Sequence, residues 1–282
     1  MIAWNDYPAG EHRTACPACG RGQRDKTLGV SIADDGRGVA HCFRCNFVES
    51  YRPNIPHSVR QASRIRKEPL PVFGKPRHES LSDFGRSLWR DCHPILHGTV
   101  GADYLLARHC ALPPEDGHLR WHPALRHPSG YTGPALVALV TDVVTRQFMS
   151  LHRTWIRADG RKADVDPPRL LLGQHRKQGG CIRLWPDDAV THGLAVAEGI
   201  ETALSLAHAY EPAWSLIDAG NLAALPVLAG VEVLVIAADN DVAGRAAAEL
   251  CARRWADAGV EVLVTRQPAN DLNDTLVGVA PA

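Results

Sequence analysis

The sequence predicts an α/β chain: a parallel sheet flanked by helices in the last third, a mixed α+β subdomain before it, and a small cysteine-bearing ribbon at the front. Three observations predict this. Residues 190–282 alternate apolar strand-like runs with helical stretches, the pattern of a parallel sheet covered on both faces. Residues 1–52 carry two Cys-x-x-Cys pairs and no long helical period. Residues 53–80 are rich in Pro and basic side chains, the composition of a linker.

The expected parts are therefore 1–52, a linker 53–80, a mixed subdomain 81–189 and a sheet domain 190–282. At 282 residues, 45% hydrophobic and 22% charged, the chain has ordinary globular composition and room for about two domains and a small module. No apolar run reaches the roughly 18 residues of a membrane span, and Met1-Ile2-Ala3-Trp4 opens no signal peptide. The expectation is a cytoplasmic protein with no membrane partner. In a reducing compartment the eight cysteines read as one four-thiolate site plus the free thiols Cys92, Cys110, Cys181 and Cys251.

The net charge of zero hides an asymmetry. Residues 1–189 carry 27 Lys+Arg against 19 Asp+Glu, whereas residues 190–282 carry 4 against 12. A basic front part fits a polyanionic partner. An acidic back part would repel that partner unless cations sit in it. The cluster Arg60, Arg64, Arg66 and Lys67 reads first as a solvated tether.

Leu81, Phe84, Leu88 and Trp89 recur at helical spacing after Ser80, and a second helix is expected over 99–109, ended by Pro113-Pro114. Short β runs follow at Ala135–Asp142, Phe148–Ile156 and Ile182–Trp185. The last third reads as strand Leu194–Ala197, helix Ile200–Ala209, strand Trp214–Ile217, strand Val231–Ala238, helix Val242–Ala258 and strand Val260–Thr265.

Cys16-Pro-Ala-Cys19 and Cys42-Phe-Arg-Cys45 form two knuckles separated by 22 residues. Four thiolates so spaced suit one structural Zn²⁺ held between the ends of a hairpin. So small a ribbon has little core, and metal binding would supply most of its folding energy. Arg21, Arg24, Lys26, Arg37 and Arg44 would give it a polyanion-facing surface, with Phe43 or Phe47 available for base stacking.

Glu198 follows Leu-Ala-Val-Ala, and Asp239 and Asp241 follow Val-Leu-Val-Ile-Ala-Ala, so all three stand at carboxyl ends of strands. Ligands of open α/β sheets bind along that edge. Asp271 and Asp274 come shortly after a third strand and could close the same site. Hard oxygen ligands gathered there suit Mg²⁺ or Mn²⁺. Gly199 and Gly244 would allow close turns into the following helices. Each carboxylate taken singly could instead cap a helix.

Glu198-Gly-Ile-Glu-Thr-Ala-Leu, Asp239-Asn-Asp-Val-Ala-Gly244 and Asp271-Leu-Asn-Asp-Thr-Leu resemble the Toprim domain of DnaG-type primases, topoisomerases and some nucleases. With His41-Cys42-Phe-Arg-Cys45, the front is similar to the zinc-binding domain of those primases, above all of phage, plasmid and integrative-element primases. Phe148–Arg153, Pro167–Gly173 and Gly179–Leu184 resemble the strands that precede Toprim in them. The resemblance implies a DNA primase that makes short RNA primers on single-stranded DNA from NTPs, for a phage, plasmid or integrative element. It implies catalytic and Mg²⁺-binding roles for Glu198, Asp239 and Asp241, with Asp271 and Asp274 completing the metal set. Arg153, Arg169, Lys177 and Arg183 would pair with template or nucleotide phosphates. A replicative helicase in trans would be a further partner, since no helicase segment follows Asp274.

Thr202 occupies a position where these primases often carry Asp, with Glu201 beside it; either Glu201 contributes or one ligand is missing. Two rivals combine similar parts. A RecR-like recombination mediator places its zinc site directly before Toprim, whereas here about 150 residues intervene. A Toprim nuclease would have little use for the ribbon or the basic strands.

Overall fold

The computed structural model describes residues 2–19, 26–34, 36–42, 44–45, 47–51 and 78–279. Arg21, Arg24, Phe43 and the basic cluster at 60–67 lie outside the described residues. Two compact units are present, 1–72 and 73–282.

The first unit is a four-stranded antiparallel meander of β1 (Gly10–Thr14), β2 (Leu28–Ile32), β3 (Gly38–Cys42) and β4 (Val48–Tyr51). Its core is small: Ile2, Leu28, Val30 and Ala40, with the thiols Cys16 and Cys42 buried among them. Trp4 covers the sheet, stacked on Tyr51 and donating its indole N–H to Glu49 at 3.0 Å.

The second unit begins with α1 (Asp83–Arg90) and α2 (Val100–Ala107), capped by the hydroxyls of Ser82 and Thr99. The second helix ends well before Pro113-Pro114, because His109 turns the chain with a φ of 53°. The tail of the expected linker is docked, since the His78 amide donates to the Gln174 carbonyl and the Arg176 amide to that of His78.

One nine-stranded sheet then runs through the rest of the unit. Its antiparallel part holds β5 (Leu119–Arg126), β6 (Thr132–Asp142), β7 (Phe148–Trp155), β8 (Arg169–Leu171) and β9 (Gly180–Arg183). Its parallel part holds β10 (Gly193–Ala197), β11 (Ala213–Ser215), β12 (Val233–Ala237) and β13 (Glu261–Thr265), in the order β13-β12-β10-β11. Strand β9 pairs antiparallel with β11, so 81–189 and 190–282 share a single sheet.

The parallel strands alternate their apolar residues between two cores, as period-two side chains must. Ala195, Ala197, Val235 and Ala237 face one core with Ile200, Ala203 and Leu204 of α3 (Ile200–Leu206). Leu194, Val196, Leu234 and Ile236 face the other. There they meet Leu222 of α4 (Ala219–Ala224) and Ala247, Ala248, Cys251 and Trp255 of α5 (Val242–Asp257). The expected helices on both faces are therefore present. The short α4 and the last helix, α6 (Leu272–Val279), extend the expected element order. No described helix is long and apolar enough to cross a membrane.

Candidate metal centres and nucleotide site

In the first unit the Sγ atoms of Cys16, Cys19, Cys42 and Cys45 all lie within 4.8 Å of one another, with Cys16–Cys45 and Cys19–Cys42 at 3.6 Å. A zinc ion bonded to four sulfurs at about 2.3 Å sets them about 3.8 Å apart, so the donor set fits the ion. Strand β3 delivers Cys42 at its end, and hydrogen bonding sharpens that thiol. Burial alone would raise its pKa, but amide hydrogen bonds from Cys45 and Arg44, with Thr27, bring it down to about 6.

In the second unit, register sets the site. Ala197 of β10 pairs with Ala237 of β12 and Ser215 of β11, and Ala237 pairs with Thr265 of β13. All four chains leave the sheet on one edge. Glu198, Asp218, Asp239 and the loop leading to Asp271 therefore meet there. The loops are tied together: the Ser215 hydroxyl donates to the Glu198 carbonyl at 2.8 Å, and the Asn240 amide to the Asn270 carbonyl at 2.6 Å. The Gln267 side-chain amide donates to the Ala238 carbonyl.

Glu198 Oε1 and Asp239 Oδ1 are buried without a hydrogen-bond partner. Burial, then Asp239, Asp241 and Asp218, push Glu198 up to about 8. Burial, then Asp271 and Asp241, push Asp239 up to about 6, with Arg169 opposing. Such oxygens are missing positive charge, and hard divalent cations are what this donor chemistry accepts.

The remaining carboxylates are arranged differently from the expected five-ligand cluster. Among the described residues, no three acidic side chains bring their oxygens within the 4.8 Å that gathers the sulfurs. Asp241 caps α5, accepting the Gly244 amide at 2.7 Å, and Asp271 accepts the Asp274 amide at 2.7 Å. Capping thus accounts for one oxygen of each. Asp274 is exposed and lies 4.0 Å from Arg108. Between the two acidic tracts Asn273 is fully buried, donating to the Arg108 carbonyl at 2.6 Å and the Ser205 hydroxyl at 3.0 Å. The Asn of Asp-Leu-Asn-Asp is the anchor that holds α6 in place.

Of the glycines, Gly244 is required by close approach, with Asp239 and Glu198 against it. Gly199 has an ordinary φ of −89°, and a Cβ there would meet no atom closer than 3.4 Å.

Two expected phosphate contacts are corrected. Arg183 is 3% exposed, and its guanidinium donates to Asp187 at 2.6 Å, Thr141 at 2.5 Å and the Val143 carbonyl at 3.0 Å. It also stacks on Trp214. Arg153 shares its face of β7 with the core residues Leu151 and Trp155, is 9% exposed, and donates to the Leu171 carbonyl at 3.0 Å. Both are structural, a reading that strict period-two counting along the strands would have favoured. Arg169 and Lys177 are exposed. Arg169 starts the edge strand β8 and acts electrostatically on Asp239. The Lys177 ammonium sits 2.9 Å from Asp218, which caps α4.

Glu201 is not among the orphaned acids. It is buried, accepts the Tyr104 hydroxyl at 2.9 Å and lies 3.6 Å from the Lys162 ammonium. Asp218, Lys162 and Arg108 are thus site neighbours that motif reading passed over. Asp218 was detectable as an acid following a strand; Lys162 and Arg108 lie outside any spacing signal. Beside Asp239 opens a cleft of about 610 Å³, lined also by Asn240, Arg245, Arg266 and Gln267.

Comparison with known families agrees with this architecture. Residues 193–281 match the Toprim domain, and residues 79–184 match a family described as a domain of unknown function (DUF7146). The back of the chain is therefore a Toprim domain. The layout that marks the resemblance to DnaG-type primases is present, with a four-cysteine ribbon in front and Toprim behind. No curated protein matches the sequence.

Among solved structures, the chain is similar to the primase fragment of the bacteriophage T7 primase-helicase protein, with TM-score 0.44, 17% identity, and coverage of 95% of this chain and 94% of that one. It is also similar to the Aquifex aeolicus primase (zinc binding and RNA polymerase domains), with TM-score 0.44, 13% identity and coverage of 99% and 80%. A DNA primase domain from Pseudomonas aeruginosa gives 0.35, 13%, 64% and 56%.

Proposed function

We propose that this chain is a DNA primase, a DNA-directed RNA polymerase that joins NTPs on a single-stranded DNA template. The observation that carries this reading is the pair of buried, unpartnered oxygens of Glu198 and Asp239 at the carboxyl edge of a Toprim sheet. Glu198, Asp239 and Asp241 would hold catalytic Mg²⁺ or Mn²⁺, with Asp271 adding its oxygen that is not engaged in the cap. Asp274 joins the set only by leaving Arg108. Bound cations would lower the pKa of the attacking 3′-hydroxyl and stabilise the departing pyrophosphate.

The chain's own residues would do the rest. The carboxylates would fix where charge is received, with Glu198 Oε1 and Asp239 Oδ1 the buried oxygens of the set. Arg169 and Lys177, exposed beside the acidic edge, would pair with phosphates of template and nucleotide. For Lys177 this requires exchange of Asp218 for a phosphate. The four thiolates would hold structural Zn²⁺, and the ribbon they close would contact the template. In functional terms the chain divides as 1–52 template-reading ribbon, 53–80 linker, 81–189 strand platform and 190–282 catalytic Toprim domain. Service to a phage, plasmid or integrative element, a cytoplasmic location, and cooperation with a helicase in trans complete the reading. It is tested by incubating the protein with Mg²⁺, labelled NTPs and single-stranded DNA. Template-dependent oligoribonucleotides support it, and DNA cleavage without synthesis would favour a Toprim nuclease.

A further inference from the structure

Glu201 occupies the helical turn after Glu198, yet its surroundings differ from those of the metal-site acids. All seven residues of α3 are buried, and the Glu201 carboxylate points into a polar pocket made by Tyr104 of α2 and Lys162 of the turn following β7. A buried carboxylate is expensive unless paired and hydrogen-bonded. Here it is both: burial would raise its pKa, but Lys162 and Arg169 outweigh this and bring it down to about 2.

Two cations act on this one carboxylate, Lys162 at 3.6 Å and Arg169. Lys162 is a quarter exposed, and its positive charge is opposed by burial and by the nearby charges of Arg169 and Arg108. Arg108 also leans on Asp274. Arg169 is exposed and acts electrostatically on Asp239 as well as on Glu201. Glu201 in turn is close enough to disfavour ionisation of Asp271. Lys162 bridges to Ile156 and Arg169 pairs with Thr154, so both cations sit at the same end of β7; Arg108, which donates to the Gly160 carbonyl and lies 4.0 Å from Asp274, ties that turn to α6. A polyphosphate entering there with its divalent cations offers oxygens that accept from both groups.

We infer that Glu201 is a positioning residue rather than a metal ligand. It holds Lys162 so that the Lys162 ammonium and the Arg169 guanidinium together receive the phosphates of a nucleoside triphosphate beside Asp239 and Asp271. This rests on the polymerase reading of the same edge, and it resolves the alternative left by Thr202 in favour of one missing carboxylate ligand.

The test measures primer synthesis against NTP concentration for wild type, Lys162→Ala, Lys162→Arg and Glu201→Gln, each checked by thermal unfolding. Lys162→Ala is expected to raise KM for NTPs by about tenfold with a smaller change in kcat, and Lys162→Arg to restore most of it. Glu201→Gln keeps the bulk and the Tyr104 contact but not the charge. It is expected to raise KM similarly, and to add nothing when combined with Lys162→Ala. An unchanged KM in Lys162→Ala overturns the inference. So does a Glu201→Gln protein that loses only thermal stability. If wild type makes no primers, the polymerase reading falls by itself. The inference is then read from equilibrium binding of ATP with Mg²⁺: about tenfold weaker binding by both variants supports it, and equal binding, or none by wild type, overturns it.

Discussion

Glu198 and Asp239 meet over Gly244: a Cβ at position 244 would lie 3.0 Å from Glu198 Oε1, 2.9 Å from Asp239 Cβ and 2.6 Å from the Asp239 carbonyl oxygen. Two strand ends and the start of α5 thus converge on a point where no side chain fits. Gly244→Ala should push backbone as well as carboxylates apart. We expect a loss of about 1–3 kcal/mol in urea unfolding, together with weaker Mg²⁺ binding by calorimetry. Unchanged stability and metal affinity would show that the approach is not tight in solution.

The crowding of acids makes stability depend on pH. Glu198 moves from 4.5 up to about 8 through burial, Asp239, Asp241 and Asp218. A carboxyl whose folded pKa lies above its unfolded value takes up a proton on folding. Its contribution therefore becomes more destabilising as pH rises from about 4.5 to about 8. Metal-free Glu198→Gln should exceed wild type by on the order of 2 kcal/mol at pH 8 and by little at pH 4. Added Mg²⁺ should stabilise wild type at pH 8 and the variant less. Parallel pH profiles for the two proteins would refute this.

In the ribbon, Cys16 and Cys42 share a core with Ile2, Leu28, Val30 and Ala40, the other buried apolar residues among those described there. If the four thiolates hold zinc, a chelator, or Cys42→Ser, should remove hydrogen-exchange protection from β1–β4 while leaving β6 and β7 protected. Retained protection in the metal-free ribbon would mean that its apolar core suffices.

The arginines should separate by role. Arg183→Ala leaves the buried Thr141 hydroxyl and Val143 carbonyl without their donor, while Asp187 keeps Arg146, and should cost about 1–3 kcal/mol. Its effect on the salt dependence of single-stranded DNA binding should be nil. Arg169→Ala should leave stability within about 0.5 kcal/mol. It should also reduce the salt slope by about 0.7, the share of one neutralised phosphate on a single strand. The reverse assignment of effects would overturn the placement of both residues.

The alternation of strands and helices after residue 190 is legible because β10 and β12 are buried on both faces and α3 and α5 begin just beyond them, at Gly199 and Asp241. Glu198 and Asp239 could be placed for the same reason, since a strand's end fixes where the next side chain emerges. Arg153 and Arg183 were misread because positive charge in a basic region looks like surface, whereas strand pleat and an aromatic face bury both. Lys162 is illegible: its approach to Glu201 is made by a chain segment 39 residues away, and nothing local announces it. Helix α4 was missed because six residues give no helical period to read.

The most direct test of the central claim compares wild type with Asp239→Ala in one primer-synthesis assay, using Mg²⁺, labelled NTPs and single-stranded DNA, with zinc content measured on the same samples. The account predicts oligoribonucleotides from wild type, none from Asp239→Ala, and equal zinc in both. Synthesis that survives loss of Asp239, or a wild type that cuts DNA and makes no primers, would contradict it.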